Sequence, residues 1–350
     1  MNRKRCLILG GTAFIGLRLV QKLLDEGHNV SLLNRGNSPV PEGVELLMAD
    51  RRDIATVRAV LAGRDWDIVY DVSAAVQVTS VEQISALIEM LDGHCGIYEF
   101  VSSIAAYHFD GSGLPWAEQH PLSRSRPTSY GGHKAAVERL LRNRNERKGF
   151  AYTIIRPAAV YGPNDNIPDG EMAMFKRLLE KRPVLVPHDG LVIFPYGHVN
   201  DLVDAMYLAS INPAAIGEAF NVTGESVTAQ YYVVSIAKVI GLEPEIVYVP
   251  NNILATIKPP LPFNHRFQKI MHCVLSINKA QDILGFKPAY SFESGHRQTY
   301  EWFLEHNLHK NDTPMVDPIW NVSWDFEREA KIIEAIHLTR RDTHSISQDI

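Results

Sequence analysis

Short apolar runs alternate with longer amphipathic segments along the first half of the chain. The apolar runs predict strands at residues 6–9, 30–33, 45–48, 68–72, 98–102 and 152–156. The amphipathic segments predict helices at residues 15–26, 54–62, 81–91 and 130–147. This regular alternation predicts an α/β fold in which a doubly wound parallel sheet carries helices on both faces.

A glycine-rich turn follows the first predicted strand and opens the first predicted helix. Glycine permits a tight turn after the strand, the small side chain of Ala13 lets the backbone approach a pyrophosphate, and Gly16 lets the helix lie close to the sheet. The amino terminus of the helix offers free N–H groups to phosphates. The turn therefore predicts dinucleotide binding by the residues Gly10, Thr12, Ala13, Phe14, Ile15 and Gly16.

This turn indicates that residues 1–162 form a dinucleotide-binding domain of the Rossmann type. After residue 163 glycine and proline become frequent, and short strands are predicted at residues 184–186, 192–194, 219–222 and 245–249. We expect residues 163–310 to form a smaller, mixed substrate-binding lobe over the carboxyl ends of the strands, with segments that partly rejoin the Rossmann sheet. Residues 311–350 are expected to form a helical tail, with a helix at residues 325–338.

The second predicted strand ends in Asn34 and Arg35, where the adenosine ribose would lie. Folds that prefer NAD usually place an acid here. Asn34 carries no charge, and the guanidinium of Arg35 would attract a 2′-phosphate, so NADP is the predicted cofactor and NAD the second choice. A solvated loop arginine is the alternative interpretation of Arg35. Asp50 and Arg51, at the end of the third predicted strand, are expected beside the adenine ring.

Tyr130 and Lys134 lie four residues apart in a predicted helix, which places both side chains on one face. A phenol is normally too weak an acid to exchange protons at neutral pH. A nearby ammonium and a cationic nicotinamide ring both favour the phenolate and lower its pKa. The pair is therefore a candidate acid/base centre, although the Tyr-x-x-x-Lys spacing also arises by chance in helices.

Further segments give this pair its context. The fifth predicted strand is followed by Ser103, whose hydroxyl would lie at the carboxyl edge of the sheet, where ligands bind in open α/β folds. Residues 156–163 read RPAAVYGP after the sixth strand, and residues 197–201 read GHVND before a later helix.

In order and spacing, these motifs resemble the extended short-chain dehydrogenases/reductases, also called the NAD-dependent epimerase/dehydratase family. The resemblance runs from about residue 5 to residue 306, and it includes AQDILGFKP at residues 280–288. It implies that Tyr130 is the general acid/base, that Lys134 holds the nicotinamide ribose and lowers the tyrosine pKa, and that Ser103 hydrogen-bonds the substrate oxygen. Ser103 is preferred to Ser102 because it lies four residues before Tyr107, which matches the family spacing. The resemblance also implies cofactor contacts at Val72, Ser73, Ala74 and Pro157.

The sequence departs from the family pattern near the expected substrate. Ile104 and Ala105 stand where sugar-nucleotide 4,6-dehydratases carry acids, so elimination of water is disfavoured. Ala159 and Phe194 stand roughly where epimerases carry an asparagine and an arginine that help to bind a nucleotide diphosphate. A different polar or aromatic substrate is therefore a serious alternative. The candidate substrate contacts are Gln77, Tyr107, Ala159 and Phe194, and ring packing is an equally good interpretation of Tyr107.

Composition narrows the classes of partner. The formal net charge of −5 gives no electrostatic reason to expect nucleic acid or an anionic membrane, and no apolar run is long enough to cross a bilayer. The 3 cysteines and 14 histidines show no metal-ligand spacing, so we expect no metal site and a reducing, cytoplasmic location. His198 is expected to order a turn. Four arginines between residues 139 and 147 are expected at a solvated surface or a homodimer contact.

Two classes of function follow for a small-molecule substrate. The first is an oxidoreductase or epimerase that passes hydride between nicotinamide C4 and a secondary alcohol or ketone carbon; the residues do not separate these two. The second is a non-catalytic dinucleotide sensor or RNA-binding scaffold with the same fold. Because Ser103, Tyr130 and Lys134 are all present, the sequence favours the enzyme.

Overall fold

The computed structural model describes residues 3–165, 170–258, 267, 271–310, 316–317, 322–323 and 325–346 of the 350-residue chain. Its strands are β1 (Arg5–Leu9), β2 (Asn29–Asn34), β3 (Glu45–Met48), β4 (Trp66–Asp71), β5 (Cys95–Val101), β6 (Tyr152–Pro157), β7 (Ala159–Tyr161), β8 (Val184–Pro187), β9 (Ile193–His198), β10 (Ala219–Val222), β11 (Ser226–Thr228), β12 (Ile246–Val249), β13 (Val316–Asp317) and β14 (Val322–Ser323). Its α-helices are α1 (Phe14–Asp25), α2 (Ile54–Leu61), α3 (Val81–Leu91), α4 (Tyr130–Lys148), α5 (Glu171–Leu179), α6 (Val199–Ile211), α7 (Ala229–Ile240), α8 (Asn251–Leu254), α9 (Phe292–Glu305) and α10 (Phe326–Ile346).

A parallel sheet of 7 strands is the centre of the fold, with the strand order β10-β6-β5-β4-β1-β2-β3. The order reverses beside β1, between β4 and β2, as in a doubly wound fold. The predicted α/β class is confirmed. The six strands and four helices predicted for the first half of the chain are present, with ends that differ by up to three residues.

Both faces of this sheet are buried, which explains why its strands read as continuous apolar runs. In β1, Cys6 and Ile8 lie in one hydrophobic cluster with residues of α1 and α6. Leu7 and Leu9 point the other way, into a second cluster with residues of α2, α3 and α4. Each leucine-sized side chain buried in this way contributes about 1.5–3 kcal/mol relative to exposure.

The chain divides into two compact units that are interleaved in sequence. The first unit comprises Met1–Val160, Gly197–Gly224 and Leu275–Ala289, and it contains the central sheet. Its β10 and α6 come from the second of these segments, so a later part of the chain returns to the sheet. The second unit comprises Tyr161–Tyr196, Glu225–Val274 and Tyr290–Ile350, and in it β8 pairs with β12 and β9 with β11.

The helix predicted at residues 325–338 is present as α10 and is longer than predicted. Glu329 of this helix accepts two hydrogen bonds from Arg177 of α5, at 2.5 and 3.0 Å, and both side chains are buried. The rest of the predicted tail, apart from the short strands β13 and β14 and Asp325, lies outside the described residues. None of the described helices combines the length and the apolar character that a bilayer crossing requires.

Candidate active site

Tyr130 is the first residue of α4, and Lys134 follows one turn later. Ser129 caps the helix, because its Oγ accepts a hydrogen bond of 3.2 Å from the backbone N–H of Gly132. A Cβ atom at position 131 would lie 2.1 Å from the carbonyl oxygen of Ala105, so only glycine lets the helix start this close to the loop after β5. The helix start is therefore built to bring Tyr130 against that loop.

The loop after β5 separates the two neighbouring serines into different roles. Ser103 is half-buried, accepts a hydrogen bond of 3.1 Å from Ala105 N–H, and hydrogen-bonds the side chain of Tyr130. Ser102 is buried and donates to Glu138 Oε1 at 2.6 Å. The hydroxyl beside Tyr130 is thus the one that the sequence favoured.

Burial has the largest effect on the electrostatics of Tyr130. Burial raises the pKa of the Tyr130 phenol, and the hydrogen bond with Ser103 only partly opposes this effect. The ammonium of Lys134 lies 5.7 Å from the centroid of the Tyr130 ring. Burial is thus the largest influence on the Tyr130 pKa, and the lowering of that pKa by Lys134 together with a cationic nicotinamide stays a prediction.

Lys134 is buried and firmly held. Its Nζ donates a hydrogen bond of 2.6 Å to the carbonyl oxygen of Val101 and lies 4.9 Å from the centroid of the Phe100 ring. Burial lowers the pKa of Lys134 to about 8, whereas the charge of Asp71 acts in the opposite direction. The side chain therefore titrates much nearer to neutral pH than an exposed lysine does.

A buried ion pair anchors α4 to the sheet. Glu138, one turn after Lys134, accepts hydrogen bonds from Arg156 Nε at 2.9 Å and Arg156 Nη2 at 2.5 Å. Arg156 also donates to the hydroxyl of Tyr107 at 2.7 Å, and that hydroxyl donates to Asn221 Oδ1 at 2.7 Å. Tyr107 is only 1% exposed, so the prediction that it contacts substrate is corrected: its hydroxyl belongs to this buried network.

A second buried ion pair was not anticipated from the sequence. Arg51 donates to both carboxylate oxygens of Asp71, at 2.7 and 2.8 Å, and to Ser73 Oγ at 2.8 Å. Tyr98 donates its hydroxyl to Asp71 Oδ2 at 2.5 Å. The guanidinium of Arg51, expected beside an adenine ring, is therefore occupied by Asp71.

A cavity of about 320 Å³ lies at the carboxyl ends of the central strands. Its lining includes seven of the predicted cofactor residues, namely Gly10, Thr12, Asn34, Arg35, Asp50, Arg51 and Ser73. Gln77 also lines it, and a contact of Gln77 with substrate stays a prediction. The residues chosen from the glycine turn, the end of β2 and the end of β3 are thus brought together in one place.

The cavity fits a dinucleotide at two points. A Cβ atom at position 16 would lie 2.6 Å from the Gly11 backbone, so glycine is needed for α1 to start directly behind the turn. The Nδ2 of Asn34 is buried and has no hydrogen-bond partner within the described part of the chain, while its Oδ1 accepts from Gly36 N–H. A donor left open at a cavity wall suits an oxygen-rich ligand.

The other predicted cofactor residues have different surroundings. Ala13 is exposed just before α1, Phe14 is buried in the core, and Ile15 is half-buried against the same core. The side chains of Val72 and Ala74 belong to the two hydrophobic clusters, and Pro157 is buried at the end of β6. Their side chains serve packing, and a cofactor contact by these residues stays a prediction.

The remaining candidates divide in the same way. Ala159 on β7 and Phe194 on β9 are each half-buried, and their contact with substrate stays a prediction. His198 caps α6, because its Nδ1 accepts a hydrogen bond of 3.3 Å from Asn200 N–H, as the sequence indicated. Among the described residues, no group of three or more His, Cys, Asp or Glu side chains could hold a metal ion.

The sequence of this chain is similar to a known family model and to known proteins. The family model described as "NAD dependent epimerase/dehydratase family" matches residues 6–223. A relative from Arabidopsis thaliana, the chloroplast stem-loop binding protein of 41 kDa b, is 33% identical over 317 residues, which cover 85% of this chain and 79% of the relative.

Two further relatives are epimerases by name. The UDP-glucose 4-epimerase of Mycolicibacterium smegmatis is 27% identical over 328 residues, covering 85% of this chain and 98% of the relative. The structure of the UDP-glucose 4-epimerase of Thermus thermophilus, a complex with NAD, superposes with a TM-score of 0.67 at 26% identity. The match covers 86% of this chain and 99% of that one.

Proposed function

Because the chain belongs to the NAD-dependent epimerase/dehydratase family of extended short-chain dehydrogenases/reductases, we propose that it transfers hydride at a secondary alcohol or ketone carbon. The hydride passes between that carbon and C4 of a nicotinamide cofactor. The substrate is a polar, sugar-like small molecule. Tyr130 exchanges the proton of the substrate oxygen, and whether the net reaction is epimerisation or reduction depends on the substrate.

The observation that carries the proposal is the convergence of Ser103, Tyr130 and Lys134. The Ser103 hydroxyl bonds the Tyr130 phenol, and the buried Lys134 ammonium lies 5.7 Å from the same ring. A general acid needs its proton within hydrogen-bond reach of the reacting oxygen, and a substrate oxygen bound by Ser103 would meet that condition. Such convergence supports catalysis over the scaffold alternative.

Each residue has one task in this reaction. The bound nicotinamide supplies the hydride acceptor and donor at C4. In the oxidising direction the Tyr130 oxygen takes the alcohol proton as the hydride leaves the carbon, and in the reducing direction it returns that proton to the oxygen. Ser103 fixes the position of the oxygen, and Lys134 would bind the nicotinamide ribose while its charge favours the phenolate.

The cavity lining supports NADP as the preferred cofactor. Arg35 lies at the cavity with no ion-pair partner in the part of the chain that the structure describes. Among the described residues, the only carboxylate in the cavity lining is Asp50, and it is held by Arg52 at 2.6 Å; these hydrogen bonds lower the pKa of Asp50 to about 2. The lining therefore has a net positive charge, which favours a 2′-phosphate.

Four apolar side chains at positions where relatives carry polar groups bear on the reaction and the substrate. Ile104 is buried in the turn after Ser103 and Ala105 is half-buried there, and neither side chain can move a proton. We therefore assign hydride transfer without elimination of water. Ala159 and Phe194 lack the groups with which family members bind a nucleotide diphosphate, so the substrate need not carry one.

The deciding experiment measures binding first and chemistry second. The purified protein is titrated with NADP(H) and NAD(H), and secondary alcohols and ketones are then screened through the absorbance of the reduced nicotinamide. Saturable cofactor binding with turnover that Tyr130→Phe abolishes supports the proposal. Failure to bind either cofactor, together with tight binding of a structured RNA, would instead establish the scaffold function. The homodimer and the cytoplasmic location stay predictions, and sedimentation and cell fractionation test them.

A further inference from the structure

The buried ion pair of Arg51 and Asp71 lies at the edge of the site and has no part in the reaction as described so far. Its side chains are 8% and 0% exposed, and both carboxylate oxygens are bonded by the guanidinium. The hydroxyl of Tyr98 adds a third hydrogen bond to the carboxylate. Asp71 is therefore fixed in one orientation as a carboxylate. Burial opposes its ionisation most strongly, but the charge and hydrogen bonds of Arg51, the hydrogen bond of Tyr98 and the charge of Lys134 together lower the pKa of Asp71.

Asp71 lies on the same side of the sheet as Lys134. It follows Val69 by two residues in β4, so both side chains point to the face that α4 covers. In the strand register Asp71 is opposite Phe100, and the ammonium of Lys134 lies 4.9 Å from the centroid of that ring. The carboxylate and the ammonium are thus neighbours at one edge of the sheet.

The same pair contacts the cofactor cavity. Arg51 donates to Ser73 Oγ at 2.8 Å, and Ser73 lines the cavity together with Gly10 and Thr12. One buried guanidinium therefore holds both Asp71 and a hydroxyl of the cavity wall. A rearrangement of this pair would be felt at Lys134 and at the cavity together.

Stability alone does not explain this pair. Removing two charges from water is costly, and well-packed apolar residues of similar volume stabilise a core as well or better. A pair of this kind next to a buried lysine has a different effect, because it decides how much negative charge the ammonium meets. An opposite charge within about 4–6 Å typically shifts such a group by one to three pKa units.

We propose that Asp71, clamped by Arg51 and Tyr98, is a positioning residue that holds the Lys134 ammonium in the place and charge state that the reaction uses. This inference rests on the proposed function, in which Lys134 binds the nicotinamide ribose beside Tyr130. Arg51 has the second task of fixing Ser73 at the cavity wall. The pair is thus a preformed link between the acid/base centre and the cofactor cavity.

The direction of the electrostatic effect is clear from the charges that surround Lys134. Burial lowers the pKa of Lys134 to about 8; Asp71 and Glu138 act against this effect, and Arg51 adds to it. Removal of the Asp71 charge leaves Arg51 as an uncompensated cation next to the ammonium. The lysine should then lose its proton at a lower pH than in the wild-type protein.

The test follows the titration of Lys134 in Asp71→Asn, whose side chain has nearly the same shape. The titration is read from the ¹³Cε resonance of labelled lysine in the protein without cofactor or substrate, and Lys134→Arg assigns the peak. We expect the midpoint to fall by about one pH unit or more. Asp67→Asn is the matched control, because Asp67 lies on the same strand but is 41% exposed and bonds the backbone N–H of Arg5. Its midpoint should equal that of the wild type.

A second variant covers the case in which Asp71→Asn does not fold. The double variant Arg51→Met/Asp71→Asn removes both charges, and its Lys134 midpoint should still lie below the wild-type value, because Asp71 has the larger effect of the two. Weaker NADP(H) binding at pH 8 than in the wild type is expected for Asp71→Asn and for the double variant. An unchanged Lys134 midpoint in whichever of these two variants folds overturns the inference. Absence of cofactor binding in the wild type would contradict the proposed function and leave the titration result intact.

Discussion

Glu138 and Arg156 form an ion pair with two hydrogen bonds, of 2.9 and 2.5 Å, that joins strand β6 to helix α4, the helix that carries Tyr130 and Lys134. Both side chains are completely buried, and Glu138 also accepts a hydrogen bond from the hydroxyl of Ser102. The pair therefore fixes α4 one turn below Lys134 and fixes the loop that carries Ser103. We therefore expect loss of this ion pair to affect the stability of the fold more directly than it affects the reaction.

We predict that Arg156→Met lowers the free energy of unfolding by about 3–5 kcal/mol, because Glu138 loses its buried partner and is left with the exposed Arg142, 3.7 Å away. Chemical denaturation measures the effect. The double variant Arg156→Met/Glu138→Met removes both charges and should recover most of the loss. Arg142→Met is the control, because Arg142 also lies near Glu138, at 3.7 Å, but its side chain is 43% exposed rather than buried. Equal stabilities of the single variant and the wild type would show that the pair is not a structural anchor.

The second prediction concerns the proton. Tyr130→Phe keeps the ring and removes the oxygen that takes up and returns the proton in the proposed mechanism, so turnover should fall by about 10²–10⁴. Cofactor affinity and thermal stability should stay close to the wild-type values. Tyr231→Phe is the control, because Tyr231 is 47% exposed on α7 and should be as active as the wild type. Near-normal turnover in Tyr130→Phe would assign the acid/base role to another group.

The sequence predicts the part of the site that depends on local spacing. Tyr130 and Lys134 are four residues apart on a helix, and Ser103 directly follows a strand, so motif order alone places them. The two buried ion pairs, Glu138–Arg156 and Arg51–Asp71, join residues that are 18 and 20 positions apart in the chain. They form because a helix or a loop packs on the sheet, and no local sequence pattern predicts this contact. One indication was present: Asp71 and Arg156 are charged residues within apolar strands, and a charge buried in a sheet needs a partner.

Tyr107 is a residue whose side-chain environment the local sequence does not predict. Its position after a strand on the active side suggested a substrate contact, yet its ring packs 5.8 Å from the Trp116 ring and its hydroxyl completes the Arg156 network. Position at a strand end places a residue near a site. The direction of its side chain depends on distant residues such as Asn221, which the local sequence does not reveal.

The third prediction concerns Glu99, a carboxylic acid in the middle of β5. It is completely buried, and within the described part of the chain neither carboxyl oxygen has a hydrogen-bond partner. Burial raises the pKa of Glu99 well above its ordinary range, so the folded protein holds a proton that the unfolded chain releases above about pH 4.3. The stability that this proton provides is complete below that pH and is lost as the pH rises towards the raised pKa.

Glu99→Gln removes this titration. As the pH rises over that range, the free energy of unfolding of the variant should therefore increase relative to that of the wild type, by up to about 1.4 kcal/mol per pH unit. Urea denaturation at a series of pH values from about 5 to about 9 measures the difference. Glu42→Gln, an exposed carboxylate exchanged in the same way, should show a difference that does not change with pH. A constant difference for Glu99→Gln as well would mean that Glu99 is ionised or solvated in the folded protein.

The last prediction concerns the choice between NADP and NAD. Arg35 follows β2 at the cavity, with the uncharged Asn34 before it, and the Asp50 carboxylate is neutralised by Arg52. A 2′-phosphate would therefore meet a guanidinium that can offer two parallel N–H donors, and no opposing free carboxylate among the described residues of the lining. A charge-assisted hydrogen bond of this kind contributes about 1.5–3 kcal/mol, or roughly ten- to a hundredfold in affinity. Because Arg35 is exposed, we expect a contribution at the lower end of this range.

Arg35→Ala should weaken NADP(H) binding about tenfold and leave NAD(H) binding unchanged. Arg58→Ala, at another exposed arginine, should change the affinity for neither cofactor. Calorimetric titration of the three proteins with both cofactors decides the matter, since a wild-type protein that binds both equally, or an Arg35→Ala variant that keeps its NADP(H) affinity, would show that this arginine is only a solvated loop residue.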